Sequence, residues 1–193
     1  MNMKFAAIAR ASLLGSALPL CLTACAGGEP ESELEPAESI ARATLVGADN
    51  QEYGEVIVGE GDGGLLVQIT AKGLTPGPRG VHIHAIGKCE VPDFKSSGGH
   101  WNPTAKEHGF DNPNGAHLGD LFNLDIGEDR TGSVEAKIEG ASLKDGPAAL
   151  IDADGAAFVV HAGPDDLKTD PSGESGGRIA CGVFELQKFQ PTR

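Results

Sequence analysis

Short apolar runs bounded by turn-forming residues are the feature that most constrains the fold of this chain. Each run combines alternation with β-branched residues, and Gly, Pro and Asp separate it from the next. Runs of this length and spacing indicate β-strands joined by turns. Aromatic residues make up 5% of the sequence, so Val, Ile, Leu and Ala must supply the core. The runs are ATLVGA, YGEVIVGE, GLLVQITAKGL, GVHIHAI, DLFNLDI, GSVEAKIEG, AALIDADG, AAFVVHA and RIACGVFELQ.

Strands at this spacing favour an all-β fold, an antiparallel sandwich or barrel. Two long segments, residues 87–118 and 162–177, do not follow the strand pattern. Loops of that length inside a compact domain are usually functional or disordered. We therefore expect one β domain with two functional loops.

The histidines are clustered in one part of the chain. All six lie between His82 and His161. His82 and His84 stand two apart in an alternating run, so on a β-strand both imidazoles project from the same face. Both side chains can then reach one metal ion. A lone histidine is usually not a ligand, so the prediction depends on the clustering of all six.

Counting the ligand candidates suggests two adjacent metal ions that share one ligand. With Asp120 there are seven candidates, whereas two four-coordinate ions need about eight ligand positions. Imidazole can serve two ions because Nδ1 and Nε2 are separate donors. His100 is the natural bridge, since it lies between the histidine pair and the remaining loop candidates. The seven are His82, His84, His100, His108, His117, Asp120 and His161.

Ligand type distinguishes the two sites. A site made only of imidazoles suits copper, among other metals, and three histidines with one carboxylate suit a closed zinc site. The spacing alone also permits two zinc ions, and that alternative stays open at this point.

Five segments together resemble the signature motifs of the copper/zinc superoxide dismutase family, in order and spacing. The resemblance extends from about Ala41 to Gln187 and rests on GVHIHAIGKC, GGHWNP, HLGDL, FVVHAGPDDL and GESGGRIACGV. It implies a Greek-key β-sandwich or barrel of about eight antiparallel strands. It also implies one copper and one zinc ion per subunit.

Position by position, the resemblance implies two ligand sets that share His100. The copper ligands would be His82, His84, His100 and His161. The zinc ligands would be His100, His108, His117 and Asp120.

Other residues of the motifs receive roles by the same resemblance. Asp165 matches a carboxylate that links one copper histidine to one zinc histidine. Arg178 matches the arginine beside the copper, where a guanidinium attracts an anion. Cys89 and Cys181 match the disulfide of the subunit.

The chain departs from the family pattern at a few positions. Glu174 and Ser175 stand where Asn and Ala are common, and Trp101 stands where Phe is common. Glu174 adds negative charge near the expected anion entrance, so we expect weaker electrostatic steering of the substrate. Lys168 is a candidate for the opposite, attractive effect.

The implied reaction is the disproportionation of superoxide to dioxygen and hydrogen peroxide, with catalytic roles for Arg178 and His100. A metal buffer or copper-delivery module would need the same ligands but not Arg178. A structural sandwich with vestigial sites would have lost ligands, and none is missing. A zinc hydrolase is disfavoured because the chain has no HExxH-like arrangement.

The first 25 residues are typical of a signal peptide, with Lys4 and Arg10 before an apolar stretch. The end of this stretch, Leu-Thr-Ala-Cys, resembles a bacterial lipobox with Cys25 as the lipidated residue. Residues 26–40 are rich in Glu, Pro and Gly, which predicts a flexible acidic tether. Residues 41–193 then form the dismutase domain. We expect an exported protein of the periplasm, anchored through lipid to the outer membrane.

The net charge of −13 disfavours nucleic-acid binding, because it repels the phosphate backbone. The same charge repels superoxide at long range, so a local positive patch at Arg178 must do any focusing. We expect superoxide as the substrate and membrane contact through the N-terminal lipid alone. A homodimer is compatible with the resemblance.

Overall fold

Ten β-strands make up nearly all the regular structure of residues 39–188, the part of the chain that the computed structural model describes. The predicted signal peptide, Cys25 and most of the predicted tether lie outside these residues. The strands are β1 (Ser39–Gly47), β2 (Glu52–Gly61), β3 (Gly64–Lys72), β4 (Gly77–Arg79), β5 (Val81–His84), β6 (Leu124–Ile126), β7 (Thr131–Glu139), β8 (Ala157–His161), β9 (Arg178–Val183) and β10 (Glu185–Lys188). A 3₁₀ turn covers Lys95–Ser97.

Eight of the strands form one curled sheet. Its order is β5-β8-β9-β1-β2-β3-β7, with β10 also paired to β1. Every strand pairing is antiparallel. Neighbours such as β5 and β8, or β3 and β7, are far apart in the chain, so long connections cross between them as in a Greek key. The predicted all-β fold of about eight antiparallel strands is confirmed.

A small second ladder joins the two edges of this sheet. β4 pairs with β6, with Arg79 opposite Leu124. β4 leads through Gly80 into β5, and β6 leads through a turn into β7. Because β5 and β7 are the edges of the main sheet, this ladder brings those edges together into a flattened barrel.

Strict alternation places the aliphatic side chains inside the barrel. Along β3, Leu65, Val67, Ile69 and Ala71 are buried, and the residues between them are exposed. Side chains of successive strand residues point to opposite faces, so one face of each strand enters the core. The main core is dominated by Val, Ile, Leu and Ala, as the composition predicts.

Strand β8, like β5, is buried on both faces. Phe158 and Val160 belong to the main core. Val159 packs on the other side in a second cluster, with Phe94 and Cys181. The first long loop covers this outer side of β8, so the strand delivers His161 into a place that solvent barely reaches.

The predicted disulfide is present between Cys89 and Cys181, with a Cα–Cα distance of 5.7 Å. It ties the first long loop to β9. The two cysteines are 92 residues apart in the chain, and the chain-entropy model gives a loop of that size on the order of 4 to 5 kcal/mol of stabilisation.

Parts of the strand pattern are not as the sequence predicts: of the run DLFNLDI only Leu124–Ile126 forms a strand. The run AALIDADG, residues 148–155, is not a strand, although Leu150 is fully buried. Its Asp and Gly residues turn the chain too early, so an isolated bridge between Ser142 and Ala149 is the β-pairing that remains there. Conversely, β4 contains Pro78, a residue type that usually argues against a strand. Within residues 39–188, no helix has the length and apolar character to cross a membrane.

Candidate metal centre

The site forms along the free edge of β5. β5 pairs with β8 on one side, with His82 opposite Val159. On its other side the backbone of Ile83 accepts from Trp101 N at 2.8 Å and donates to Gly119 O at 2.9 Å. These bonds place two loop segments beside β5. As a result, the backbone of His100 forms an isolated β-bridge with His84, and the backbone of Asp120 forms one with His82.

Four imidazoles converge beside the β5–β8 pair. Each offers a nitrogen within 4.8 Å of the other three, and the set is His82, His84, His100 and His161. Nδ1 of His82 and Nε2 of the other three are buried and lack a hydrogen-bond partner. Buried polar atoms without partners are rare in folded proteins. Four of them around one point fit a metal ion as the missing partner. We call these four residues the copper set, after the sequence prediction.

The second nitrogen of each ring fixes the ring's orientation. Nε2 of His82 lies 2.6 Å from Asp165 Oδ2, and Nδ1 of His84 lies 3.0 Å from Gly98 O. Nδ1 of His161 lies 3.2 Å from Gly176 O. A ring N–H that donates to an oxygen leaves the opposite nitrogen as a lone pair. In the neutral tautomer, the partnerless nitrogen of each of these three rings is therefore available to a metal ion.

Burial keeps the copper set uncharged. It lowers the pKa of His82 to about 3, that of His84 to about 2 and that of His161 to about 4. Burial also lowers the pKa of His100. Neutral imidazoles are the form that a metal ion requires.

A second group converges on one carboxylate oxygen. Asp120 Oδ1 lies 2.8 Å from Nδ1 of His100, 3.0 Å from Nδ1 of His108 and 3.1 Å from Nδ1 of His117. Its other oxygen, Oδ2, accepts the backbone N–H groups of Gly109 and His117 at 2.9 and 3.0 Å. Three imidazole nitrogens with one carboxylate oxygen fit a closed zinc site. We call these four residues the zinc set.

The charges of this group compensate one another. Burial alone would raise the pKa of Asp120, but its hydrogen bonds from His100, His108 and His117 outweigh burial and lower that pKa. Burial alone would lower the pKa of His108, but the carboxylates of Asp120 and Asp165 raise it to about 9.

His82 also lies close to three members of the zinc set. Donor atoms of His82, His100, His108 and Asp120 all lie within 4.8 Å of one another. We favour His117 as the fourth zinc ligand, because Nε2 of His82 is held by Asp165 and its Nδ1 belongs to the copper set. Nδ1 of His117 lies 3.4 Å from Nδ1 of His100 and faces the same carboxylate oxygen.

Asp165 connects the two sets. Its Oδ2 accepts from Nε2 of His82 at 2.6 Å, and its Oδ1 accepts from Nε2 of His108 at 3.0 Å. Burial would raise the pKa of this carboxyl group, but the two histidine bonds outweigh burial and lower it. Gly173 packs against the carboxylate, and a Cβ at that position would overlap Asp165 Oδ1. The carboxylate thus links one histidine of the copper set to one histidine of the zinc set.

Arg178 is held by the first long loop. Its Nη1 donates to Phe94 O and to Ser97 Oγ, both at 2.8 Å, and its Nη2 donates to Gly98 O at 2.7 Å. Gly98 O is also the oxygen that faces Nδ1 of His84. The guanidinium therefore lies one carbonyl group away from the copper set. The sequence motif points to Arg178 but gives no sign of these partners, because two of the three are backbone oxygens.

The residues that depart from the family pattern occupy different environments. Trp101 is part of the main core. Ser175 is buried and donates from Oγ to Ser172 O at 2.9 Å. Glu174 and Lys168 are exposed. Their effects on substrate steering stay predictions.

The family model for copper/zinc superoxide dismutase (SODC) matches residues 52–184 of the chain. The superoxide dismutase-like protein YojM of Bacillus subtilis is 45% identical over 143 residues, which are 72% of this chain and 73% of that protein. A Cu-Zn superoxide dismutase of Caulobacter vibrioides is 43% identical over 148 residues, which are 75% of this chain and 85% of that protein.

A solved structure gives the same result for the fold. It is the crystal structure of a double mutant of a SOD-like protein from Bacillus subtilis in which two residues are replaced by histidine. It has a TM-score of 0.71 and 46% sequence identity, and covers 74% of this chain and 95% of that chain. With a family match over most of its length and relatives above 40% identity, the chain belongs to the copper/zinc superoxide dismutase family.

Proposed function

We propose that the chain disproportionates superoxide with His82, His84, His100 and His161 as copper ligands and His100, His108, His117 and Asp120 as zinc ligands. As a member of this family, the protein is an oxidoreductase that binds copper and zinc. The ligand assignment rests mainly on one observation. His100 offers Nε2 to the copper set, where it lacks a partner, and Nδ1 to the zinc set.

Copper held by the four nitrogens would supply the one-electron redox chemistry by which two superoxide anions and two protons become dioxygen and hydrogen peroxide. The part of His100 follows from its two nitrogens. Nδ1 stays with the zinc set, and Nε2 is able to hold a proton whenever it is not a metal ligand. His100 can therefore deliver that proton to the departing peroxide.

The part of Arg178 is to bind the anion. An arginine has five N–H donors in a rigid fork. Three of its hydrogen bonds go to the first long loop and fix the side chain. The remaining N–H groups are able to hydrogen-bond superoxide next to the copper set, and the positive charge opposes the long-range repulsion of an acidic protein.

The first test compares copper- and zinc-loaded protein with its metal-free form, with bound metal quantified in each. We expect fast dismutation that depends on copper, with one copper and one zinc ion bound per chain. Stoichiometric copper without turnover would contradict the proposal and favour a metal-binding module for copper storage or delivery.

We also propose that the protein is exported to the cell envelope and anchored to the outer membrane through lipid on Cys25. The lipobox-like sequence supports the anchor, and the Cys89–Cys181 disulfide is typical of an oxidising compartment. Metabolic labelling with a palmitate analogue tests it. We expect label in the wild-type protein and none in Cys25→Ser, and label in both would contradict the assignment.

A further inference from the structure

The side chain of Asn123 holds the backbone of Asp165 at two points. Asn123 Nδ2 donates to Asp165 O at 2.9 Å, and Asp165 N donates to Asn123 Oδ1 at 2.8 Å. Asn123 lies directly before β6 and three residues after Asp120 in the chain. It thus joins the segment that carries a zinc ligand to the second long loop.

The carboxylate of Asp165 has no freedom to adjust if its backbone moves. It is buried, with both oxygens engaged by His82 and His108. Oδ1 also accepts the backbone N–H of Leu167 at 2.6 Å. These bonds require Nε2–H on both histidines, which leaves the two Nδ1 atoms as donors for metal. The orientation of the Asp165 backbone therefore affects the ring positions of His82 in the copper set and His108 in the zinc set.

We propose that Asn123 is a positioning residue for both metal ions, acting through Asp165. The inference rests on the ligand sets of the proposed function. A planar amide suits the task because it offers a donor and an acceptor side by side, matching the C=O and N–H of one residue. An aspartate at 123 would keep the acceptor but turn a second oxygen towards Asp165 O, which repels it.

The fold of the second long loop does not depend on the two Asn123–Asp165 hydrogen bonds alone. Gly163 N donates to Ser175 O at 2.9 Å, and Gly80 N donates to Gly163 O at 2.8 Å. Asp166 N donates to Gly173 O at 2.9 Å. Loss of Asn123 should therefore leave a folded protein in which Asp165 is less well oriented.

The test measures metal binding in Asn123→Asp and Asn123→Ala. Zinc affinity is read by competition with a chelator, and the copper site by the electron paramagnetic resonance spectrum of bound Cu(II). We expect about 10-fold weaker zinc binding, the lower end of the effect of losing a partner of a metal ligand, and an altered copper spectrum. The thermal midpoint of the metal-free protein is measured in parallel.

Asn102→Asp is the matched control. The Asn102 amide makes the same pair of bonds to one residue, with Nδ2 2.8 Å from Lys106 O and Oδ1 3.0 Å from Lys106 N, in an exposed turn. We expect this variant to keep the wild-type zinc affinity and copper spectrum.

The outcomes separate this inference from the proposed function. Unchanged zinc affinity and copper spectrum in a folded Asn123 variant would overturn the inference, even if its metal-free form were less stable. If neither variant folds, Asn123→Ser, which removes the amide but keeps a small polar side chain, is judged by the same two measurements. Wild-type protein that binds both metals without turnover would contradict the proposed function and leave the role of Asn123 intact.

Discussion

The copper half and the zinc half of the metal centre are built by different means. Three members of the copper set, His82, His84 and His161, belong to strands β5 and β8, so strand register fixes their positions. His108 and His117 of the zinc set come from the first long loop, where no ladder holds them.

Carboxylates take the place of strand register in the loop half. Asp120 Oδ2 accepts two backbone N–H groups, from Gly109 and His117. Asp170 Oδ1 accepts the backbone N–H of His108 at 2.8 Å. Strand register gives the copper half most of its shape, with one carboxylate bond from His82 to Asp165, whereas the zinc half depends on a network of charged hydrogen bonds. The two halves should therefore respond differently to mutation and to pH.

His100→Ala tests whether the halves are separable, and we expect the largest effect from it. The change removes Nε2 from the copper set and Nδ1 from the zinc set. Dismutation should fall by at least about 100-fold, the scale of losing a positioned proton donor, and both metals should bind more weakly. Steady-state rates and metal analysis check this, with His117→Ala, which removes a member of the zinc set alone, as the comparison. An active His100→Ala protein with both metals bound would refute the shared ligand.

Arg178→Glu tests whether positive charge near the copper half attracts superoxide to the site. Reversal of the charge should slow dismutation by about 10- to 100-fold through loss of local attraction, with copper still bound. Rates measured over a range of ionic strength check it, because electrostatic attraction weakens with salt. Arg178→Lys is the control that keeps the charge. A wild-type rate in Arg178→Glu would remove Arg178 from catalysis.

The pH dependence of stability should separate the halves in the metal-free protein. His82, His84 and His161 have pKa values of about 3, 2 and 4, below the ordinary value of 6.5. Their unfolded forms take up protons first, so stability is complete above pH 6.5 and falls as the pH drops towards 4. His108 has a raised pKa of about 9. It contributes stability fully below pH 6.5 and loses that contribution as the pH rises through 9.

Thermal midpoints of the metal-free protein from pH 4 to pH 10 check both predictions, the loss of stability at low pH (the acid arm of the curve) and the loss at high pH (the alkaline arm). His108→Gln should flatten the alkaline arm and leave the acid arm in place. An unchanged alkaline arm in this variant would contradict the role of His108 in charge compensation.

The strand half could be predicted further from the sequence than the loop half. Alternation around His82 and His84 predicts a shared face, and an apolar run predicts the strand that ends in His161. The first loop follows no period, so its ligands could be assigned from counting and family resemblance but not placed. Asn123 and Gly98 each act through two hydrogen bonds to residues elsewhere in the chain, and such bonds leave no periodic pattern in the sequence. The burial of Leu150 outside any strand shows the same limit, because apolar runs mark burial better than conformation.

Phe122→Ala tests whether packing helps the carboxylates to hold the loop half, and we expect the smallest effect from it. The rings of Phe110 and Phe122 are stacked, with centroids 4.6 Å apart, and each lies two residues after a zinc-set residue. Both are largely exposed, at 44% and 60%. Loss of the stack should lower the free energy of unfolding of the metal-free protein by about 1 kcal/mol. Chemical denaturation checks this, with the exposed Leu66→Ala on β3 as control.

Zinc affinity decides what the stack contributes to the site. If the carboxylates hold the loop half, Phe122→Ala should change zinc affinity by less than about threefold, because Asp120 keeps its bonds to Gly109 and His117. A loss of about 10-fold or more would mean that packing orients the zinc ligands as well. Packing would then position the ligands in both halves, within the sheet for the copper half and within the loop for the zinc half. The charged hydrogen bonds would be the smaller contribution.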